Sequence, residues 1–381
     1  MADILVQKLP DPFLKSDGKT RVATPDEWRA QREWLVNLVV GMEYGGMPPK
    51  PDKVTVEPLN ETGRGSKNDP RQNVVRVHCG TDEHPFSFIL NLYVPEGTGK
   101  MPVVLMGDGC YMSMSNEVIH EINRRGMIAA RFDRLELATD RRDAKRDHGL
   151  YALYPRQTTF SALSAWAWGY HRALDAIEQI DYCDATKVAI TGHSRGGKTV
   201  LLAGATDERF YIVNPNDSGA GGAGCFRYQT CSADELAKAT PAQRSESLAD
   251  LMRAIPYWFA PAMHAYVGHE ETLPFDQHML KACVAPRYLL QTEGMDDTWA
   301  NPKGSYQTLL AAREVYKFLG AEDHIAAYYR EGGHAHGYRE YVQLLDFMDA
   351  CLKGERAGDH YYEHPYPEMK NIFDWACPGK D

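Results

Sequence analysis

The sequence predicts an α/β fold with a mostly parallel central sheet in a three-layer sandwich, on three observations. From Pro102 onward, short apolar runs end in glycine or aspartate and longer helical stretches separate them. The runs are "PVVLMGDG" (102–109), "MIAARFD" (127–133), "KVAITGHS" (187–194), "FYIVNPNDSG" (210–219), "PRYLLQTEGMDD" (286–297) and "HIAAYYREGGH" (324–334). Buried strands alternating with helices make βα units. Polar residues gather at the C-terminal ends of these runs, where an open α/β sheet places its ligand site. One run ends in Gly-His-Ser-Arg-Gly (192–196), with an apolar strand before it and the helical "TVLLAGA" after it. Strand, G-x-S-x-G and helix together describe the nucleophile elbow of an α/β-hydrolase fold.

The remaining elements follow in chain order. "TPDEWRAQREWLVNLVVGMEYG" reads as a helix with Thr24 as N-cap, Pro25 at its first position, and Asp26 and Glu27 in its first turn. Trp28, Leu35, Leu38 and Val39 form its apolar side. "KVTVEP", "NVVRVHCG" and "PFSFILNLYVPEG" are closely spaced and predict an antiparallel start to the sheet. Between Thr159 and Ile180, the residues Leu163, Trp166, Tyr170, Leu174, Ile177 and Ile180 recur every three to four positions, which predicts an amphipathic helix. Trp166 and Trp168 belong to the core in this reading.

The 381 residues suffice for one large domain, expected over 1–381, with an N-terminal extension at 1–50 and a small cap segment at 225–277. The chain is 43% hydrophobic and 25% charged, the profile of a soluble globular protein. No apolar run approaches the roughly 18 residues of a membrane span, so no membrane partner is expected. "MADILVQKLPDPF" lacks a basic stretch followed by an apolar core and does not read as a signal peptide. The expectation is a cytoplasmic protein, or a secreted or periplasmic one whose leader has been removed. A formal net charge of -10 and the absence of a dense Lys/Arg block argue against a nucleic acid partner. "DRRDAKRDHG" (140–149) mixes both signs and reads as a solvated loop or helix face. The eight cysteines include no Cys-x-x-Cys pair, which removes the zinc-ribbon and thioredoxin readings. Those in apolar runs, such as Cys283, read as buried thiols.

Ser194 is the candidate nucleophile. A serine hydroxyl needs a base within hydrogen-bond reach, and the base needs an acid to fix its tautomer. "EGGHAHG" after the last strand offers His334 and His336; His334, directly after Gly-Gly, is preferred and His336 is the alternative base. Two acids compete. Asp217 lies in "NDSGAGG" and Asp297 in "EGMDDTWANP", one strand later. Fold logic alone favours Asp297. No carboxylate or Cys cluster accompanies His-x-His, so neither a metal nor another cofactor is expected.

"TGHSRGGK", "NDSGAGGAGCFR", "LPFDQHMLKACVAPRYLL" and "GGHAHG" resemble the blocks of carbohydrate esterase family 15, the glucuronoyl esterases. The likeness extends to "LPDPF", "YGGMPPKP" and "AWAWG", and so spans about Leu9 to Lys353. It implies a metal-free serine esterase acting on a glucuronate-bearing carbohydrate ester, the (4-O-methyl-)glucuronic acid esters that link xylan to lignin alcohols. It shifts the preferred acid to Asp217, which stands where the family often carries Glu, with Asp297 as rival. The backbone N–H and guanidinium of Arg195 would serve the oxyanion. The resemblance implies sugar hydroxyls for Lys198. Trp299, close to Asp297, is a candidate for stacking on a sugar ring, and Trp258 lies in the expected cap as a further substrate contact. Gln277 and His278 are structural in this reading. His193 stands where many members carry Cys, which places the chain on a bacterial branch. An O-acetyl esterase on the same site and an inactive carbohydrate-binding protein are the alternatives. The retained serine, acids and histidines speak against the second.

Overall fold

A computed structural model describes residues 5–63, 70–111, 113–143, 145–229, 240 and 243–379. Cys231 and much of the stretch 230–242 in the expected cap lie outside the described residues. The elements, in chain order, are β1 (Leu5–Val6), α1 (Pro25–Tyr44), β2 (Thr55–Thr62), β3 (Arg71–His78), β4 (Ser87–Val94), β5 (Met101–Met106), α2 (Asn116–Arg124) and β6 (Ile128–Phe132). Then come α3 (Leu150–Leu153), α4 (Ala162–Ile177), β7 (Cys183–His193), α5 (Arg195–Thr206), β8 (Ile212–Asn216), β9 (Tyr228–Gln229) and α6 (Leu248–Ala254). The chain closes with α7 (Gln277–Val284), β10 (Tyr288–Gly294), α8 (Pro302–Phe318), β11 (Ile325–Arg330) and α9 (Tyr338–Lys353).

Nine strands form the main sheet in the order β11-β10-β8-β7-β5-β6-β4-β3-β2. The six from β11 to β6 are parallel, while β4, β3 and β2 add antiparallel pairs. All the expected strand runs therefore form strands, and the opening is antiparallel as the spacing predicts. The two halves differ in burial for a simple reason. β8 is buried along its whole length between helical layers, and its sequence is apolar or hydrogen-bonded throughout. β2 forms the exposed edge of the sheet and reads largely polar.

One apolar core joins α1, α4, α5, α7 and α8 to one face of the sheet; a smaller one joins α2 and α9 to the other. This is the three-layer α/β-hydrolase architecture. The chain leaves β5 for β6 on one side and later returns to β7 on the other, so β5 lies at a topological switch point. The crevice beyond its C-terminal end is where such sheets bind ligands.

Two helices refine the sequence reading. Helix α1 starts at Pro25, but Thr24 makes no side-chain cap; the Glu27 carboxylate instead accepts the Ala23 N–H. Helix α4 is buried on every side, not on one apolar face. Its polar groups are therefore paired internally: Trp166 Nε1 donates to Ala138 O, Trp168 Nε1 to Pro49 O, and Arg172 pairs with Asp175. Cys79, Cys183, Cys225, Cys283 and Cys351 are buried thiols. Among the described residues no helix is long and apolar enough to cross a membrane.

Candidate active site

Ser194 stands between β7 and α5 with φ 56 and ψ -119, a left-handed conformation that side chains rarely adopt. Close packing enforces it. A Cβ on Gly192 would overlap the Gly196 backbone, and one on Gly196 would overlap the Asp108 carboxylate. Both glycines of the motif are thus sterically required. The Ser194 N–H donates to Asn216 O at 2.9 Å, which ties the elbow to β8. Arg195 is the first residue of α5, where a backbone N–H has no intrahelical partner. A cavity of about 220 Å³ opens here, lined by Asp108, Tyr111, Ser113, His193, Ser194, Arg195 and His334. A larger open groove of about 600 Å³, along β2 and β3, shares no residue with it.

His334 faces this cavity from the loop after β11. Its Nδ1 lies 2.5 Å from Asp297 Oδ2. Burial works against a proton on this ring, but the hydrogen bond and charge of Asp297 outweigh it and raise the pKa above 6.5. Asp217, preferred on the resemblance, makes its hydrogen bonds elsewhere. That carboxylate is buried and accepts from Gly294 N–H at 2.6 Å, Ala335 N–H at 3.2 Å and Arg330 at 3.1 Å. Burial first, and then the nearby charge of Asp297, push its pKa up to about 6 against those donors. The donor atoms of Asp217, Asp297 and His334 all lie within 4.8 Å of one another. Proximity therefore does not separate the two acids; the hydrogen bonds do.

His336 is turned away from this role. It stacks on Tyr341 at 4.5 Å, and burial drives its pKa well below the ordinary histidine value. His193 lies between the other two rings, 4.2 Å from His334 and 5.7 Å from His336, with Nδ1 2.7 Å from Asn216 Oδ1. Burial and then the adjacent His334 lower its pKa to about 4, so it is neutral at pH 7.

Lys198 points into the protein interior. Its side chain is 3% exposed, and Nζ donates to Ser218 O at 2.7 Å, Ala220 O at 2.6 Å and Glu246 Oε2 at 2.9 Å. An ammonium has three N–H groups, and all three are used. Trp258 is only 3% exposed. Its ring lies under the Arg195 guanidinium at 4.6 Å, and its Nε1 donates to Asp140 at 2.9 Å. Trp299 is half-buried, with the Arg244 guanidinium 5.1 Å from its ring. Gln277 pairs with Glu43 and His278 with Pro10 O, both in the protein interior.

Asp140 is the residue that the sequence misplaced. It opens the stretch read as a solvated loop, yet its side chain is 6% exposed and accepts from Arg195, Tyr257 and Trp258. Burial opposes its charge, but Arg195 and these donors hold its pKa below the usual aspartate value. Asp108, Arg134 and Glu246 were missed as well. Their only sequence signals are their places just past strands or inside the cap stretch.

A serine on a strained elbow, a histidine hydrogen-bonded to a buried aspartate, and an orphan N–H beside an arginine on one cavity suit attack on an acyl carbon. The comparisons agree. The family model described as "Glucuronyl esterase, fungi" matches residues 77–320. The 4-O-methyl-glucuronoyl methylesterase 1 of Wolfiporia cocos is 31% identical over 363 residues, covering 91% of this chain and 81% of the relative. A carbohydrate esterase family 15 glucuronoyl esterase from Caldicellulosiruptor kristjansonii superposes with TM-score 0.78 at 29% identity, covering 96% of this chain and 97% of its own. A Ser-to-Ala mutant of the Sporotrichum thermophile glucuronoyl esterase, solved with methyl 4-O-methyl-β-D-glucopyranuronate, gives TM-score 0.74 at 26% identity over 94% of this chain and 92% of its own. Fold, site geometry and relatives together make this chain a carboxylic ester hydrolase that belongs to carbohydrate esterase family 15, the glucuronoyl esterases.

Proposed function

We propose that the chain hydrolyses carboxylic esters of (4-O-methyl-)glucuronic acid through a Ser194-His334-Asp297 triad. The observation that carries this reading is the Asp297–His334 hydrogen bond on the cavity that also holds Ser194. Ser194 Oγ attacks the ester carbonyl while His334 Nε2 takes its proton; Asp297 keeps the Nδ1 proton in place and stabilises the imidazolium. Charge that develops on the carbonyl oxygen meets the Arg195 N–H and guanidinium. The alcohol leaves with the proton from His334, and water then releases the uronate from Ser194 by the same route in reverse.

The substrate class rests on the relatives: the Wolfiporia protein is named for glucuronoyl methyl esters, and the Sporotrichum enzyme was solved with one. The uronate lies on the acyl side of the bond, next to Arg195. We read the described residues of 225–277 as a cap, since Tyr257 and Trp258 from this stretch reach Asp140 and Arg195. Trp299, beside the triad acid, carries the sugar-stacking role.

The test compares hydrolysis of benzyl glucuronate with that of 4-nitrophenyl acetate, using Ser194→Ala as control. Preference for the uronate ester, lost in Ser194→Ala, is expected. Turnover of the acetate faster by orders of magnitude would overturn the reading in favour of an O-acetyl esterase.

A further inference from the structure

We propose that Asp140 is a positioning residue that fixes the Arg195 guanidinium toward the ester carbonyl and offsets its charge, so that the uronate product is released. This rests on the reading of Arg195 as an oxyanion ligand given above.

A guanidinium on a long side chain stabilises a transition state only if it is held in place beforehand. Arg195 is held from two sides. NH1 donates to Asp140 Oδ2 at 2.8 Å, and the ring of Trp258 lies 4.6 Å from the guanidinium carbon. Its other N–H groups make no hydrogen bond to protein among the described residues, and the side chain, 34% exposed, lines the cavity with Ser194 and His334. Asp140 is fixed in turn. Its Oδ1 accepts from Tyr257 OH at 2.8 Å and Trp258 Nε1 at 2.9 Å, and its Oδ2 also faces Arg134 at 3.5 Å. Arg134 lies between the rings of Tyr111 and Trp166, at 4.9 and 4.7 Å, and donates to Asp108. The second oxygen of Asp108 accepts the His193 N–H at 3.0 Å.

Two carboxylates and two guanidiniums therefore alternate from the residue before Ser194 to the residue after it. They close a ring around the nucleophile with no formal net charge. The balance matters because the substrate is a neutral ester, whereas the product carries a carboxylate at the same place. An uncompensated Arg195 would hold that product. With Asp140 in the ring, donor N–H groups remain aimed at the reacting oxygen while the full positive charge does not.

Asp140→Asn tests this. An amide has one oxygen, whereas Arg195 and Trp258 donate to opposite oxygens of Asp140, so one donor must face an NH2 group. On benzyl glucuronate, kcat is expected to fall about 10- to 100-fold, short of the roughly 100- to 1000-fold lost when an oxyanion donor is removed outright. The inhibition constant for sodium glucuronate is expected to tighten by about threefold or more, because Arg195 loses its counter-charge. A merely structural lesion would weaken the binding of substrate and product alike, so an unchanged or weaker inhibition constant overturns the proposal. In an Arg195→Ala background, Asp140→Asn is expected to add less than about twofold, and additive losses overturn it too. Undiminished kcat in Arg195→Ala alone would instead overturn the oxyanion role of Arg195 and this inference with it. If Asp140→Asn does not fold by circular dichroism, Asp140→Glu keeps the charge but displaces it. Lower kcat with an unchanged glucuronate constant is then expected, and unaltered kcat overturns the proposal.

Discussion

The loop after β8 and the loop after β10 each begin at the end of a buried parallel strand, and each brings one buried aspartate toward His334. What differs is the use made of the carboxylate. Asp217, with φ 40, takes N–H groups from Gly294 at the end of β10 and from the His334 loop, together with Arg330, which also pairs with Glu340. Lys198 binds the same loop through Ser218 O and Ala220 O. The loop after β8 is a clamp whose polar groups are spent on holding its neighbours. Asp297 takes one backbone N–H, from Ala300 at 3.3 Å on Oδ1, and leaves Oδ2 for the imidazole. A carboxylate orients a base when its acceptor positions are open, not merely when it is near.

The comparison breaks if the two acids are interchangeable. Asp297→Asn is expected to lower kcat by about 10⁴-fold, the order seen when a triad acid loses its charge and the wrong tautomer results. Steady-state kinetics on the uronate ester checks this. Lys198→Met attacks the clamp instead. It strands Glu246 in a largely buried site, and breaking such a pair costs about 3–5 kcal/mol, to be read from urea unfolding. Asp217→Asn should act through geometry alone, with kcat down by about tenfold, well short of the Asp297 effect. An equal loss in the two Asn variants would end the distinction between clamp and partner.

Two pH measurements sharpen it. In the proposed triad neutral His334 is the base, and its pKa is raised, so kcat/KM should fall as pH drops through a value above 6.5. In the residual activity of Asp297→Asn that acid limb should move to lower pH, because the group holding the proton is gone. The smallest effect is on stability. The pKa of Asp217 rises from 3.8 to about 6 on folding, so the folded state binds the extra proton between those values. Its contribution to stability is fully present below about pH 4 and is lost as pH rises through about 6. Asp217→Asn cannot titrate, so its melting temperature relative to the parent should improve across that window.

Much of this was legible beforehand. The apolar runs located the strands of the parallel half of the sheet, because a buried parallel strand must be apolar along its length. The elbow was legible because its glycines answer local overlaps, Gly192 with the Gly196 backbone and Gly196 with Asp108. Of the two histidines in "EGGHAHG", the His334 ring lines the cavity. Choosing between Asp217 and Asp297 was not legible, since it depends on donors more than 75 residues away, at Gly294, Arg330 and Ala335. Asp140 misled for the same reason. Its sequence neighbours are charged and solvent-facing, while its partners Tyr257 and Trp258 lie more than 100 residues on.

The sequence by itself determined the order of strands and helices, the strained serine turn, and the set of residues from which a triad could be drawn. Those features depend on periodicity, glycine sterics and residue chemistry, all of which act over a few neighbouring positions. Only the tertiary structure decided which aspartate hydrogen-bonds His334, that Lys198 is locked inside while Arg195 lines the cavity, and that Trp258 lies under the Arg195 guanidinium. A buried polar group takes its role from the hydrogen-bond partners that folding brings to it, and distance along the chain says nothing about who those partners are.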